Sequence, residues 1–238
     1  MDRVVFIPFQ QPYAHEFLER TNNWLLERPD KNFRVVVYNL MRSPLWGPNP
    51  MLLNLIKGSS IYIRGHGMPG VAQLTTHYRN DDISITIQKA IDRLIEMGLE
   101  RDFRGTIKFY SCYSGLDQPP KLQHGTGTFS ATKDGRIKGA LRSPDGQLQL
   151  ERGTFSPATK SLASVGAAYF RSLGFLQCKY YGYRGPLTGK YEPSDSSPDG
   201  RNHKWCELTT FDWLGDMQSV NATVKGVRAS DPRARKSF

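Results

Sequence analysis

Two short apolar runs, each followed directly by a polar turn that contains glycine, constrain this chain more than any other feature. The first run, Ile61–Ile63, leads into Arg64–Gly67, and the second, Thr106–Tyr110, leads into Ser111–Gly115. Between them, Ile83–Met97 carries apolar residues at spacings of three and four, which is typical of an amphipathic helix. A strand, a helix and a second strand in this order predict a crossover unit with parallel strands.

The two turns carry a His and a Cys, His66 and Cys112. Parallel strands end at the same edge of a sheet, where open α/β folds place their sites, so we expect both residues at one edge. A thiolate is a good nucleophile for carbonyl carbon, and a neutral imidazole can take the thiol proton and later return it to a leaving amine. We therefore predict Cys112 as nucleophile and His66 as general base and acid. The glycines beside them allow close backbone approach, so the amides of Gly67 and Cys112 can face a developing oxyanion.

The order of these motifs resembles the caspase-hemoglobinase fold of cysteine peptidases, which includes caspases, legumains, gingipains, separases and the protease domains of some secreted bacterial toxins. The resemblance rests on two motifs: a strand ending in His66-Gly67 and, one helix later, a strand ending in Cys112-Tyr113-Ser114-Gly115. The spacing is close to the roughly 50 positions between the caspase His and Cys. Caspases proper have Gln-Ala-Cys-x-Gly at the nucleophile, so this chain is more similar to the legumain, separase and toxin branch. The resemblance implies a catalytic His66 and Cys112 with an oxyanion hole at Gly67 and Cys112.

The expected fold is an α/β domain over residues 1–218, with a mostly parallel sheet flanked by helices. The resemblance implies a caspase-like three-layer sandwich. A small β-hairpin insertion at about 117–156 is predicted by the turn pairs Asp134-Gly135 and Asp145-Gly146. Residues 219–238 are rich in Lys and Arg, and we expect them to form a basic, flexible tail.

Several local elements are also expected. The stretch from Met68 to Asp82 is polar and predicts a loop over the site, with a solvated His77 and with Asp81 and Asp82 at the start of the following helix. Further along the chain, the pattern predicts a helix from Pro157 to Leu173 capped by Ser156, a strand over Phe175–Tyr181, a strand over Asn202–Leu208 and a helical turn over Phe211–Met217.

The loop Gly182–Pro186 follows the fifth predicted strand and, if that strand is parallel, lies on the same edge. In the resembled fold this edge lines the pocket for the residue before the scissile bond, so Tyr183 and Arg184 are candidate substrate-binding residues. Arg184 favours an acidic substrate side chain, whereas the carboxylates of the next loop favour a basic one. These cues conflict and leave the specificity open.

Composition restricts the partners and the compartment. There are 32 Lys and Arg against 22 Asp and Glu, a net charge of +10, which favours acidic partners. The basic residues form no dense run or known motif, so nucleic acid is not the expected partner. We expect a protein or peptide substrate instead.

No apolar run is long enough for a transmembrane segment or a signal peptide. Three cysteines without paired spacing indicate a reducing compartment. We expect a cytoplasmic protein, or an effector exported without a conventional signal peptide into the cytosol of a host or target cell.

The chemistry of a Cys-His pair requires no metal or organic cofactor. Three other functions fit the same sequence and stay open: a catalytically inactive caspase-like binding module, a polyanion binder that uses the basic loops and tail, and a thiol-dependent deamidase or transamidase on the same two residues.

Overall fold

A computed structural model gives the fold and describes residues 2–26, 33–39, 52, 55, 57–79, 81–117, 121–124, 127–131, 137–138, 141–142, 148–149, 160–188, 204–213 and 220–238. In chain order the elements are β1 (Arg3–Ile7), α1 (His15–Leu26), β2 (Phe33–Val37), β3 (Ser60–Arg64), β4 (Gln73–Tyr78), β5 (Asp81–Thr86), α2 (Ile87–Glu96), β6 (Thr106–Tyr110), β7 (Lys121–His124), β8 (Gly127–Ala131), β9 (Ile137–Lys138), β10 (Leu141–Arg142), β11 (Leu148–Gln149), α3 (Leu162–Ser172), β12 (Lys179–Tyr183), β13 (Leu187–Thr188), β14 (Trp205–Trp213), β15 (Val220–Arg228) and β16 (Arg235–Ser237).

A six-stranded sheet forms the centre, in the order β16-β12-β6-β3-β1-β2. Five of its strands are parallel, and β16 joins the β12 edge in antiparallel orientation. The continuous apolar run of β1 is buried, as expected for an inner parallel strand covered on both faces. This sheet confirms the predicted α/β class with a mostly parallel sheet.

Helices α2 and α3 pack side by side on one face of the sheet. On α2, Ile87, Ile91 and Leu94 are fully buried, at the spacing that predicted the helix. On α3, a Cβ added to Gly166 would lie 2.5 Å from Cζ of the Phe109 ring of β6, so only glycine allows this close approach of helix and strand. Helix α1 contacts β1, β2 and β4.

The segment after His66 is a hairpin, and the prediction of a loop there was wrong. Strands β4 and β5 pair antiparallel, with His77 opposite Asp82. Asp81 and Asp82 therefore lie in β5 instead of starting the helix, and Thr86 is the N-cap, accepting a hydrogen bond from the amide three residues on. The alternation of Ile83 and Ile85 with polar residues was a strand pattern, and it merges without a break into the helical pattern of α2.

Two further boundaries differ from the prediction. Helix α3 starts at Leu162 with Ser161 as its N-cap, and the predicted cap Ser156 with Pro157 lies outside the described residues. The fifth parallel strand is shifted to Lys179–Tyr183, because the expected start of that strand packs as a turn after α3.

The C-terminal region also departs from the prediction. Residues 211–213, where a helical turn was expected to begin, belong to β14, while 214–217 lie outside the described residues. The segment expected to be a basic tail supplies β15, which pairs along β14, and β16, which pairs with β12 of the central sheet.

Short strands occupy the region of the expected hairpin insertion. Antiparallel pairing joins β7 to β8, β8 to β9 and β10 to β11. The turn pairs Asp134-Gly135 and Asp145-Gly146 lie between paired strands, outside the described residues.

Candidate functional site

The register of the sheet brings the loops of His66 and Cys112 to equivalent positions. Strands β3 and β6 pair in parallel, and their last residues, Arg64 and Tyr110, are register partners. His66 and Cys112 each follow their strand by two residues, so both begin their loops at the carboxyl edge of the sheet. The sequence predicted this placement from the crossover alone.

These two loops are in backbone contact at Gly67. A Cβ at this position would overlap the Ser111 Oγ and lie 2.9 Å from the carbonyl oxygen of Cys112. Gly67 is thus required for the approach of the His loop to the Cys loop. The same approach brings the backbone of Gly67 close to that of Cys112. The amides of these two residues are the ones predicted from the sequence to form an oxyanion hole.

A carboxylate that the sequence analysis did not identify is hydrogen-bonded to the imidazole of His66. Both carboxylate oxygens of Glu16 lie 3.0 Å from His66 Nε2. The two side chains are only 17% and 20% exposed, so water screens this pair weakly. Glu16 stands in the first turn of α1, fifty positions upstream. No sequence motif links the two residues, because the tertiary packing of α1 on the sheet brings them together.

Two rings contact the imidazole of His66. The Phe17 ring of α1 lies 4.9 Å away, centroid to centroid, and the His77 ring of β4 lies 4.8 Å away. His77 is in turn paired through Nδ1 with Asp82. The backbone of His66 exchanges hydrogen bonds with Thr75, N to O at 2.8 Å and O to N at 3.1 Å. The β4–β5 hairpin thus holds His66 by backbone and ring. The His77 side chain is 41% exposed, as expected for a solvated residue, but it lies in a strand instead of a loop and contacts both His66 and Asp82.

The Cys112 thiol lies against the first residue of β13. The amide of Leu187 donates a hydrogen bond to Cys112 Sγ over 3.3 Å. The Cys loop is also bonded to the residues that precede this strand, by Tyr113 N to Gly185 O at 3.2 Å and by Gly115 N to Tyr183 O at 2.8 Å. Tyr113 adopts a positive φ of 55°. An amide donor on sulfur favours the thiolate over the thiol.

The other two cysteines have environments that suppress ionisation. Burial raises the pKa of Cys178, and it raises the pKa of Cys206 to about 12. Both are buried, whereas Cys112 is partly exposed, and all three are free thiols. Cys112 is therefore the accessible thiol of the three.

The candidate substrate-binding residues differ in exposure. Arg184 is exposed, with its amide bonded to the carbonyl of Ala234 at 2.9 Å. Tyr183 is buried, and its ring packs edge-on to Tyr110 at 5.6 Å. Burial raises the pKa of the Tyr183 hydroxyl. The Arg184 side chain is therefore open to solvent, whereas that of Tyr183 is enclosed.

Within the described part of the chain, no three His, Cys, Asp or Glu side chains are grouped to hold a metal ion. The helices described are also too short or too polar to cross a membrane. Comparison with protein-family models, with curated proteins and with solved structures gave no match to this chain.

Proposed function

We propose that this chain is a thiol-dependent acyl-transfer enzyme built on a Glu16–His66–Cys112 site. More specifically, we propose a cysteine endopeptidase of the caspase-like fold that hydrolyses peptide bonds through a thioester. The observation that carries the proposal is the pairing of Glu16 with His66 Nε2 at 3.0 Å, on a loop in backbone contact with the loop of Cys112. A carboxylate-bound imidazole is the kind of base that activates a nucleophilic thiol within its reach.

The roles follow from which imidazole nitrogen is occupied. In this proposal the carboxylate of Glu16 accepts a hydrogen bond from His66 Nε2–H, so Nδ1 is left as the basic nitrogen. The carboxylate also stabilises the imidazolium that forms when Nδ1 accepts a proton. In the proposed first step, the Cys112 thiol gives its proton to His66, and the thiolate bonds to the substrate carbonyl carbon. The carbonyl π electrons move to oxygen, where the amides of Gly67 and Cys112 would receive the negative charge.

Collapse of this intermediate breaks the C–N bond, and His66 returns the proton to the leaving amine. Water then gives a proton to His66 and attacks the thioester carbon. The C–S bond breaks, the carboxylic acid product leaves, and His66 returns the proton it took from water to the sulfur, which restores the thiol. The Leu187 amide at 3.3 Å from Cys112 Sγ supports the sulfur whenever it carries negative charge.

The first test measures the reactivity of Cys112. The folded protein is treated with limiting iodoacetamide near pH 7, and alkylation of each cysteine is followed by mass spectrometry. We expect Cys112 to react ahead of Cys178 and Cys206, and to lose that lead in His66→Ala. Glu16→Gln should slow Cys112 by roughly 10- to 100-fold, because a hydrogen bond to a charged group is worth about 1.5–3 kcal/mol. Equal reactivity of the three cysteines, or a His66→Ala variant as fast as the wild type, contradicts the proposal.

The second test detects the peptidase reaction itself. A peptide library derived from a digested proteome is incubated with the protein, and new amino termini are identified by mass spectrometry. Cleavage should disappear in Cys112→Ala and persist in the matched variant Cys178→Ala, whose thiol is buried in the core. Conversion of side-chain amides to acids without new termini would instead support a deamidase on the same residues.

A further inference from the structure

A surface cavity of about 300 Å³ lies where α2 and α3 end. It is lined by Asp92, Ile95 and Glu96 of α2, by Leu173 at the end of α3, and by Arg101 and Phe175. The last two residues belong to the segments that lead from these helices into β6 and β12. The cavity therefore lies at the amino edge of the central sheet, opposite the edge that carries the loops of His66 and Cys112.

The negative charges of the cavity stand where a helix does not favour them. Asp92 and Glu96 lie in the last two turns of α2, and the C-terminal end of a helix carries partial negative charge. Asp92 Oδ1 accepts a hydrogen bond from the Tyr169 hydroxyl over 2.7 Å, but no cation among the described residues forms an ion pair with Asp92. Glu96 lies 4.0 Å from Lys89 Nζ, and both side chains are about half exposed, so this pair is weak. A bound cation would offset the charge at this end of the cavity.

Arg101 supplies a positive charge to the same cavity. Its side chain is exposed, and within the described part of the chain no carboxylate forms an ion pair with it. The rest of the lining is apolar, since Phe175 is 1% exposed and Ile95 and Leu173 are half-buried. A ligand that matches this lining carries an ammonium, a carboxylate and an apolar group.

We infer that this cavity binds an apolar α-amino acid in its zwitterionic form. The ammonium pairs with Asp92, the carboxylate receives N–H donors from the Arg101 guanidinium, and the apolar side chain lies against Phe175. Small-molecule sites usually have volumes of about 300–1,000 Å³, so this cavity suits a ligand of amino-acid size. The inference goes beyond the proposed function and does not depend on it, because no residue of the cavity belongs to the Glu16–His66–Cys112 site.

The test is a titration of the wild-type protein with L-leucine, followed by the NMR signals of the Ile95 and Leu173 methyl groups. These signals should shift and saturate, with a dissociation constant on the order of 1 mM, as for a small ligand in an open site. Two analogues each lack one charge: 3-methylbutan-1-amine has no carboxylate, and 4-methylpentanoate has no ammonium. Each should bind at least about fivefold more weakly, since a charge-assisted contact is lost at a solvent-exposed site. Glycine, which lacks the apolar side chain, should give no saturable shift.

Two variants without the charges assign the contacts. Asp92→Asn keeps an oxygen that accepts the Tyr169 hydroxyl, and Arg101→Gln keeps a polar side chain. Each should weaken leucine binding about fivefold or more. The affinity for 4-methylpentanoate should be unchanged in Asp92→Asn, and that for 3-methylbutan-1-amine should be unchanged in Arg101→Gln. Asp102→Asn and Arg104→Gln are the matched controls, since both residues are exposed, follow Arg101 closely and do not line the cavity. They should bind leucine as the wild type does.

Three results overturn the inference. The first is the absence of a saturable shift at Ile95 and Leu173 up to about 20 mM leucine. The second is an affinity for either analogue equal to that for leucine, since the missing charge would then contribute nothing. Both need only the wild-type protein, so they decide the matter even if a variant does not fold. The third is an unchanged leucine affinity in Asp92→Asn or Arg101→Gln, once circular dichroism has verified that the variant is folded.

Discussion

The contact between the His and Cys loops makes a quantitative prediction for Gly67→Ala. The new Cβ would overlap Ser111 Oγ and lie 2.9 Å from Cys112 O, closer than side-chain carbons pack, so the two loops must separate. Overpacking of this kind costs about 1–3 kcal/mol. For a chain of this length that lowers the melting temperature by roughly 2–12 °C, at about 2–4 °C per kcal/mol.

The neighbouring Ser111 allows a double-mutant cycle that isolates the clash. Ser111 is buried, and its hydroxyl has no hydrogen-bond partner among the described residues. Ser111→Ala alone should therefore be neutral or slightly stabilising. In the double variant, Gly67→Ala with Ser111→Ala, the overlap with Ser111 Oγ is removed, but the new Cβ still lies 2.9 Å from Cys112 O. We expect recovery of about half the loss, a coupling of roughly 1 kcal/mol.

The assay is thermal unfolding followed by circular dichroism, with Cys112 alkylation measured on the same four proteins. Gly67→Ala should slow alkylation, because it moves the His loop from the Cys loop, and the double variant should recover part of the rate. A melting temperature of Gly67→Ala within about 1 °C of the wild type, or no recovery in the double variant, would refute the loop contact.

Three further predictions concern other parts of the fold. Because burial raises the Cys206 pKa to about 12, its thiol stays protonated at pH 8, and alkylation by iodoacetamide should trail that of Cys112 until the pH approaches 12 or the protein unfolds in urea. The raised pKa also means that the neutral thiol contributes to the free energy of unfolding below about pH 9, and that this contribution is lost as the pH rises toward 12. Urea titrations at pH 8 and 10 should therefore give a lower free energy of unfolding at pH 10. Gly166→Ala puts a Cβ 2.5 Å from Cζ of the Phe109 ring and should cost about 1–3 kcal/mol in urea unfolding, an expectation that an unchanged midpoint would contradict. Thr86→Ala removes the N-cap of α2 and should cost about 1 kcal/mol, while Thr86→Ser, which keeps the hydroxyl, should cost less than half of that.

The hairpin after His66 shows where local patterns mislead. A polar stretch with one proline and one glycine turn predicts a loop, yet β4 and β5 form because Leu74 is buried and because the backbone of Thr75 pairs with that of His66. Such pairing depends on a partner that the segment itself does not contain. The strands of the C-terminal segment have the same origin, since β16 forms by adding to the edge of β12.

What the sequence determined by itself was local and periodic. Apolar runs specified the parallel strands, spacings of three and four specified α2, and chain order specified that His66 and Cys112 leave neighbouring strands at one edge. The tertiary structure decided what surrounds them. Glu16 reaches His66 through the packing of α1 on the sheet, and the fifty positions between the two residues leave no periodic signal of this contact. Charge and burial act through space, so the environment of the thiol and imidazole emerges only when the chain is folded.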